Sequence, residues 1–197
     1  SGWMIMALKS AKISGLRVDP SSFEGMRVWV EKATEPEYGR VGYTSRGTGP
    51  ARPQDLMDQF PADKSESLTA VGILSRIFIG EDPQESEMIQ KGTELCLKAL
   101  PLWDEASGAI DMYYWYYATQ VMFHMRGEYW DRWNERLHPL LVSSQQQTGP
   151  LAGSWDPQRP LPDRWAAYGG RLYVTTLNLL SLEVYYRHLP IYEDTAR

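Results

Sequence analysis

Residues 111–125 read Asp-Met-Tyr-Tyr-Trp-Tyr-Tyr-Ala-Thr-Gln-Val-Met-Phe-His-Met. An acid able to cap a helix precedes about fourteen residues with no Pro, no Gly and almost no charge. At 100° per residue, the five consecutive rings at 113–117 point to every side of a helix, so no face is left for water. The run is too short to cross a bilayer, which takes about 20 apolar residues. The segment must therefore be a helix buried on both sides, with protein behind it and a second layer or a cavity in front. The inner helix of a double-layered helical ring is placed in this way.

The remainder reads as helices in pairs. Residues 3–13 are apolar, with Ser1 as a cap and Gly15 as a stop. Asp19-Pro20 opens a second helix through Phe23, Met26, Val30 and Ala33, with Pro suited to the first turn. Residues 35–64 form a long Gly- and Pro-rich connection, with room for one helical turn at 53–60 and a hairpin at 38–43. Ser65 or Ser67 caps an apolar helix over 68–79 that Gly80 ends. Asp82-Pro83 opens its partner, which runs to about Leu100 before Pro101. After the aromatic helix comes Gly127, then a polar helix over 128–146 that Pro139 should kink. A second long loop, 147–168, leads through Gly169-Gly170 to a last apolar helix over 171–186. Four apolar helices thus start near residues 3, 68, 112 and 171, and each of the first three has a more amphipathic partner. The fold class is all-α, a repeat built on a helix-pair unit.

Charge and cysteine usage narrow the function. A net charge of −5, with no basic run, argues against nucleic acid and an anionic membrane surface, and the lack of a transmembrane run argues against direct membrane insertion. A single cysteine, Cys96, excludes an internal disulfide and any multi-cysteine zinc site, and its apolar helical setting reads as an inert thiol. The unusual feature is 8 Trp and 12 Tyr against 4 Phe. Rings with a polar handle suit surfaces that are part buried and part wet.

The segment Leu141-Val142-Ser143-Ser144-Gln145-Gln146-Gln147, followed by Gly153-Ser154-Trp155, resembles the glutamine-tryptophan repeat of terpenoid cyclases. In that repeat a helix ends in Gln and a Gly-x-Trp turn packs against it. With a capped apolar helix after each turn, the chain is similar to the terpenoid cyclase and protein prenyltransferase superfamily, and most like bacterial proteins with prenyltransferase and squalene-oxidase repeats. The resemblance implies an α/α-toroid with inner and outer helices, here one partial toroid-like domain over residues 1–197. Such toroids usually close with more helices, so the resemblance also implies the C-terminal part of a longer repeat array.

Family membership does not carry family chemistry with it. The Asp-x-Asp-Asp of class II cyclases and the Cys-Gly-Glu-Gln of thioester domains, which share the fold, have no counterpart in this sequence. Prenyltransferases hold zinc with Asp, Cys and His; their Asp-Phe-Tyr-His segment most resembles residues 111–114, where Tyr114 stands in place of His. No metal or cofactor is expected.

The candidate site residues each carry two readings. Asp111 is a helix cap or a general acid at a cavity mouth; Asp156 and Asp163 are the loop acids that could partner it. Tyr113, Tyr114, Tyr116 and Tyr117 line a terpenoid or carbohydrate cleft, or pack between helices. His124 is a ligand or a satisfied core imidazole. Trp155 is a peg under the helix end or, with Arg171 and Tyr173, cavity wall where the second loop meets the last inner helix. Gly169-Gly170 could hold an anion through free N–H groups.

Three functions follow as expectations. The first is a non-catalytic interaction module whose partner is another protein or the remaining repeats of the same polypeptide. The second is a cyclase-like or prenyltransferase-like enzyme with its acid or metal in other repeats. The third is a carbohydrate-active α/α barrel. An apolar or glycan ligand is compatible with the aromatic run.

Overall fold

The computed structural model describes residues 2–51, 53–103 and 108–187. Ser1, Glu193 and Asp194 lie outside the described residues. The described chain is all-α: α1 (Gly2–Ile13), α2 (Pro20–Ala33), α3 (Ser67–Phe78), α4 (Glu87–Lys98), α5 (Met112–Met125), α6 (Gly127–Ser144), α7 (Ala166–Leu182) and the short α8 (Val184–Arg187). Single 3-10 turns, Gln54–Leu56 and Ala62–Lys64, punctuate the first long connection. In place of a hairpin at 38–43 there is one isolated antiparallel bridge, Thr34 to Val41.

Local chemistry sets the ends. Asp19 accepts a hydrogen bond from Ser21 N, and Pro20 occupies the first turn of α2, where its missing N–H costs nothing. Gly15, at φ 77°, closes α1, with Leu16 N donating to Ala11 O. Asp82-Pro83 makes a turn rather than a helix start. The Glu85 and Ser86 N–H groups both donate to Asp82 O, and Gln84 Nε2 reaches across to Met125 O. α4 therefore begins only at Glu87. α6 runs on through Pro139. The last long helix starts earlier than its sequence suggests, at Ala166, but Gly170 (φ 61°, ψ −164°) breaks it after one turn.

α5 organises the packing. Every residue in it except Tyr113 and Phe123 is buried, and those two are half-buried. α1 packs on α3, α3 on α5 and α5 on α7, so these four helices stand side by side in chain order. α2 lies on α3, α4 on α3 and α5, and α6 on α4 and α5. Polar handles on large rings fasten the layers. Tyr114 Oη donates to Cys96 O (2.9 Å), joining α5 to α4. Trp133 Nε1 donates to Thr119 Oγ1 (3.0 Å), joining α6 to α5. The loop after α2 reaches α4 because Gly39, at φ 74°, has no side chain: a Cβ there would stand 2.7 Å from Gly92 N. Arg76, 7% exposed, pairs with Glu81 (2.8 Å) and donates to Thr34 Oγ1, tying the ends of α2 and α3 to the start of the α4 segment.

Candidate functional site

The first turns of α1, α3, α5 and the α7 segment open onto one cavity of about 540 Å³. That size lies within the range of about 300–1,000 Å³ usual for small-molecule sites. Gly2 and Trp3 come from α1, Trp29 from α2, Ser67, Leu68 and Val71 from α3, and Tyr113 from α5. Trp165, Tyr168, Gly169 and Tyr173 come from the start of α7, and Tyr43 and Ala51 from the long connection. Seven of these residues are Trp or Tyr, and among the described residues no charged side chain stands on the wall. Trp3, Tyr43 and Tyr168 are 49%, 66% and 71% exposed and form a rim that solvent reaches. Trp3 is seated by its neighbours, stacked on Tyr116 (5.7 Å between centroids, 20° between planes) and edge-on to Tyr113 and Tyr117.

Beside the cavity, at the N-terminus of α5, lies a buried polar cluster. Asp111 Oδ1 accepts from Tyr114 N (3.0 Å), while its Oδ2 accepts from Ser65 Oγ (2.7 Å) and lies 3.3 Å from Arg164 Nε. Both side chains of the Asp111–Arg164 pair are fully buried. Asp163 caps the same helix end a second time: its Oδ2 accepts from Met112 N (2.8 Å) and its Oδ1 from Trp165 N (2.9 Å). Arg164 N donates to Ile110 O, its Nη2 donates to Pro61 O, and its guanidinium lies over the Phe60 ring. Burial, then the neighbouring Asp111 charge, push the Asp163 carboxyl up to about 7 against the pull of its two backbone donors. The Tyr173 phenol is raised by burial and then by Asp163 and Asp111. Tyr113 is raised by burial, with the Tyr117 phenol opposing and Asp111 adding to it.

Of the residues singled out in the sequence, Tyr113, Gly169 and Tyr173 stand on the cavity wall. The other candidate side chains are placed elsewhere. Tyr114 faces α4 and α6, edge-on to Trp133. Tyr116 packs under Trp3, its hydroxyl against Met6 Sδ. Tyr117 is buried behind the wall, where a Cβ at Gly2 would come within 2.7 Å of its hydroxyl. His124 sits near the far end of α5, edge-on to Phe78 and Phe123, roughly 15 Å along the axis from Tyr114. Trp155 is wholly buried under the end of α6, donating from Nε1 to Leu141 O (2.9 Å) and Ser144 Oγ (3.2 Å). Arg171 clamps that turn to α7 through Trp155 O (3.0 Å) and Ser154 Oγ (3.1 Å), and pairs with Asp156 (3.1 Å) at the surface.

Sequence reasoning did not name Trp3, Trp29, Tyr43, Trp165 or Tyr168 as site residues. The one available signal was the excess of Trp and Tyr over Phe, which says that half-wet rings exist but not where they meet. Among the described residues no group of three His, Cys, Asp or Glu lies close enough to hold a metal. Cys96 is fully buried and its thiol is raised far above the ordinary range by desolvation. Likewise, no described helix is long and apolar enough to cross a membrane.

Compared with family models, curated proteins and solved structures, the chain matches none.

Proposed function

We propose that this chain is a non-catalytic binding module of terpenoid cyclase and prenyltransferase-like build, an α/α-toroid segment whose functional face is the aromatic cavity at the N-terminal ends of α1, α3, α5 and α7. One contrast supports this most. Three of the buried rings elsewhere, Tyr114, Trp133 and Trp155, spend their polar handles inside the protein, on Cys96, Thr119 and Leu141. On the cavity wall, Tyr43, Tyr168, Tyr173, Trp3, Trp29 and Trp165 make no side-chain hydrogen bond within the described residues. Half-exposed rings with unspent donors, gathered around one concavity, are the composition of a recognition surface.

Support for a non-catalytic role comes from the acids. A general acid or base has to reach the proton it moves. Asp111 and Asp163 are 0% and 1% exposed and are engaged in capping α5 and pairing with Arg164. Asp156 serves the Arg171 clamp. Support for the toroid reading comes from the turn after α6. There Gln146 N donates to Ser154 O, Gly153 N donates to Gln146 O, and Trp155 pegs the helix end.

A second observation favours a partner for the outer flanks, either further repeats or another protein. Met4, Ile13 and Leu16 on and after α1 are 64–66% exposed, and Leu172 on α7 is 81% exposed.

The cavity reading is tested by a thermal-shift screen of small molecules on the wild type and on Tyr168→Ala, a change at an exposed rim position. The expected result is a ligand that stabilises the wild type, loses its effect in the variant and is recovered chemically unchanged. Hits insensitive to the variant, or hits converted to product, overturn the proposal.

A further inference from the structure

On the reading that the cavity is a binding site, we infer that its ligand is a neutral carbohydrate, held by ring faces and by the unspent phenol and indole groups. Three ligand classes fit less well on physical grounds. A purely apolar ligand would strip water from these hydroxyls and N–H groups and return no hydrogen bond. Each group left orphaned in that way costs about 1–3 kcal/mol. An apolar site would instead be lined by Phe and branched aliphatics. None of the 4 Phe residues is on the wall, and among the described residues only Leu68 and Val71 stand there as large aliphatics.

Among the described residues a charged ligand finds no counter-charge: none of their Lys, Arg, Asp or Glu side chains lines the cavity. The positive ends of the surrounding helices are each worth roughly half a unit charge. At α5 that end is capped by the buried Asp111 and Asp163, and Asp111 is itself paired with Arg164. The described wall therefore offers a dipolar surface without a charged side chain. A pyranose presents C–H faces suited to stacking on Trp and Tyr. Its hydroxyls both donate and accept, so they match indole donors and the two-way phenols. Ser67 adds a further hydroxyl on the α3 side.

The test titrates the full chain, followed by tryptophan fluorescence and calorimetry. The probes are tetrasaccharides of glucose (α- and β-linked), mannose and N-acetylglucosamine, with farnesol, choline, citrate and adenosine as the contrasting classes. At least one tetrasaccharide is expected to bind with a Kd of about 1 mM or tighter. Tyr168→Ala should weaken that binding at least about tenfold, through loss of the ring platform. Tyr168→Phe keeps the ring and should weaken it about threefold, through loss of one hydrogen bond. Binding of farnesol, choline, citrate or adenosine with the same Tyr168 dependence, and of no saccharide, overturns the carbohydrate inference while leaving the cavity as a binding site. Saccharide binding that ignores both Tyr168 variants overturns it by placing the site elsewhere. If no probe of any class binds, both the inference and the cavity reading fall.

Discussion

Replacing Trp155 tests whether the turn after α6 fastens the structure or serves a ligand. The side chain is wholly buried. A Trp ring buries about 150–250 Å². At about 25 cal/mol per Å² that is roughly 4–6 kcal/mol, reduced by 10–40% because the unfolded chain already hides part of the ring. The hydrogen-bond term adds little, because Leu141 O still accepts from Ser144 Oγ (3.2 Å) when Nε1 is gone. Trp155→Ala should therefore cost roughly 3–5 kcal/mol, matching the usual range for large aromatic truncations. In a chain of 197 residues that corresponds to a fall in Tm of about 10 °C. Trp155→Phe retains most of the ring but loses the indole donor, so about 1–2 kcal/mol is expected. Urea and thermal melts of the three proteins give the numbers. A loss under about 1 kcal/mol for the Ala variant, with an unchanged denaturant slope, would refute the packing argument and return Trp155 to the ligand-stacking role.

The buried cluster beside the cavity gives two further outcomes. Asp111→Ala leaves Arg164 buried without its carboxylate and Tyr114 N without its cap, so a loss of about 3–5 kcal/mol is expected by chemical denaturation; a near-neutral effect would mean the pair contributes nothing. Folding raises Asp163 from the usual carboxylate value to about 7, so between about pH 4 and pH 7 the folded chain holds a proton that the unfolded chain has released. Its contribution to stability is therefore fully present below about pH 4 and declines by up to about 4 kcal/mol toward pH 7. Asp163→Asn should remove that slope, and identical pH profiles for the two proteins would contradict the assignment. Purified protein should carry no stoichiometric zinc, because Tyr114 is committed to Cys96 O and the Cys96 thiol is sealed; one-to-one zinc by metal analysis, lost in Cys96→Ser, would overturn this. The apolar flanks at Met4, Ile13, Leu16 and Leu172 should make the isolated chain self-associate in light scattering after size exclusion; a monodisperse 22.6 kDa species would contradict it.

The sequence made α5 legible because rings on every side of a helix permit only one environment, and Asp111 stood where a cap belongs. Helix identities followed from apolar spacing and from Asp19-Pro20 and Gly15, which act locally. Boundaries shifted where a long-range contact intervened. Gln84 bonds Met125 O, so Asp82-Pro83 becomes a turn and α4 waits for Glu87. The site was less legible for a related reason. Five rings in one helix cannot all face one cavity, and only Tyr113 does so. The other rings on the wall come from four further segments, and nothing within a single segment's period records that Trp3, Tyr43 and Tyr168 converge. Asp163 and Arg164 read as loop residues in sequence. Their burial depends on the second loop folding back over the start of α5, where Arg164 N meets Ile110 O.

The central claim is that the aromatic cavity holds an intact ligand. A crystal structure of the chain with the tightest-binding screen hit tests this most directly. The account predicts ligand density between Trp3, Tyr168 and Tyr173, with every bond of the ligand intact and Asp111 still capping α5. Density lodged elsewhere, or a cleaved or rearranged ligand beside Asp111 or Asp163, would contradict it.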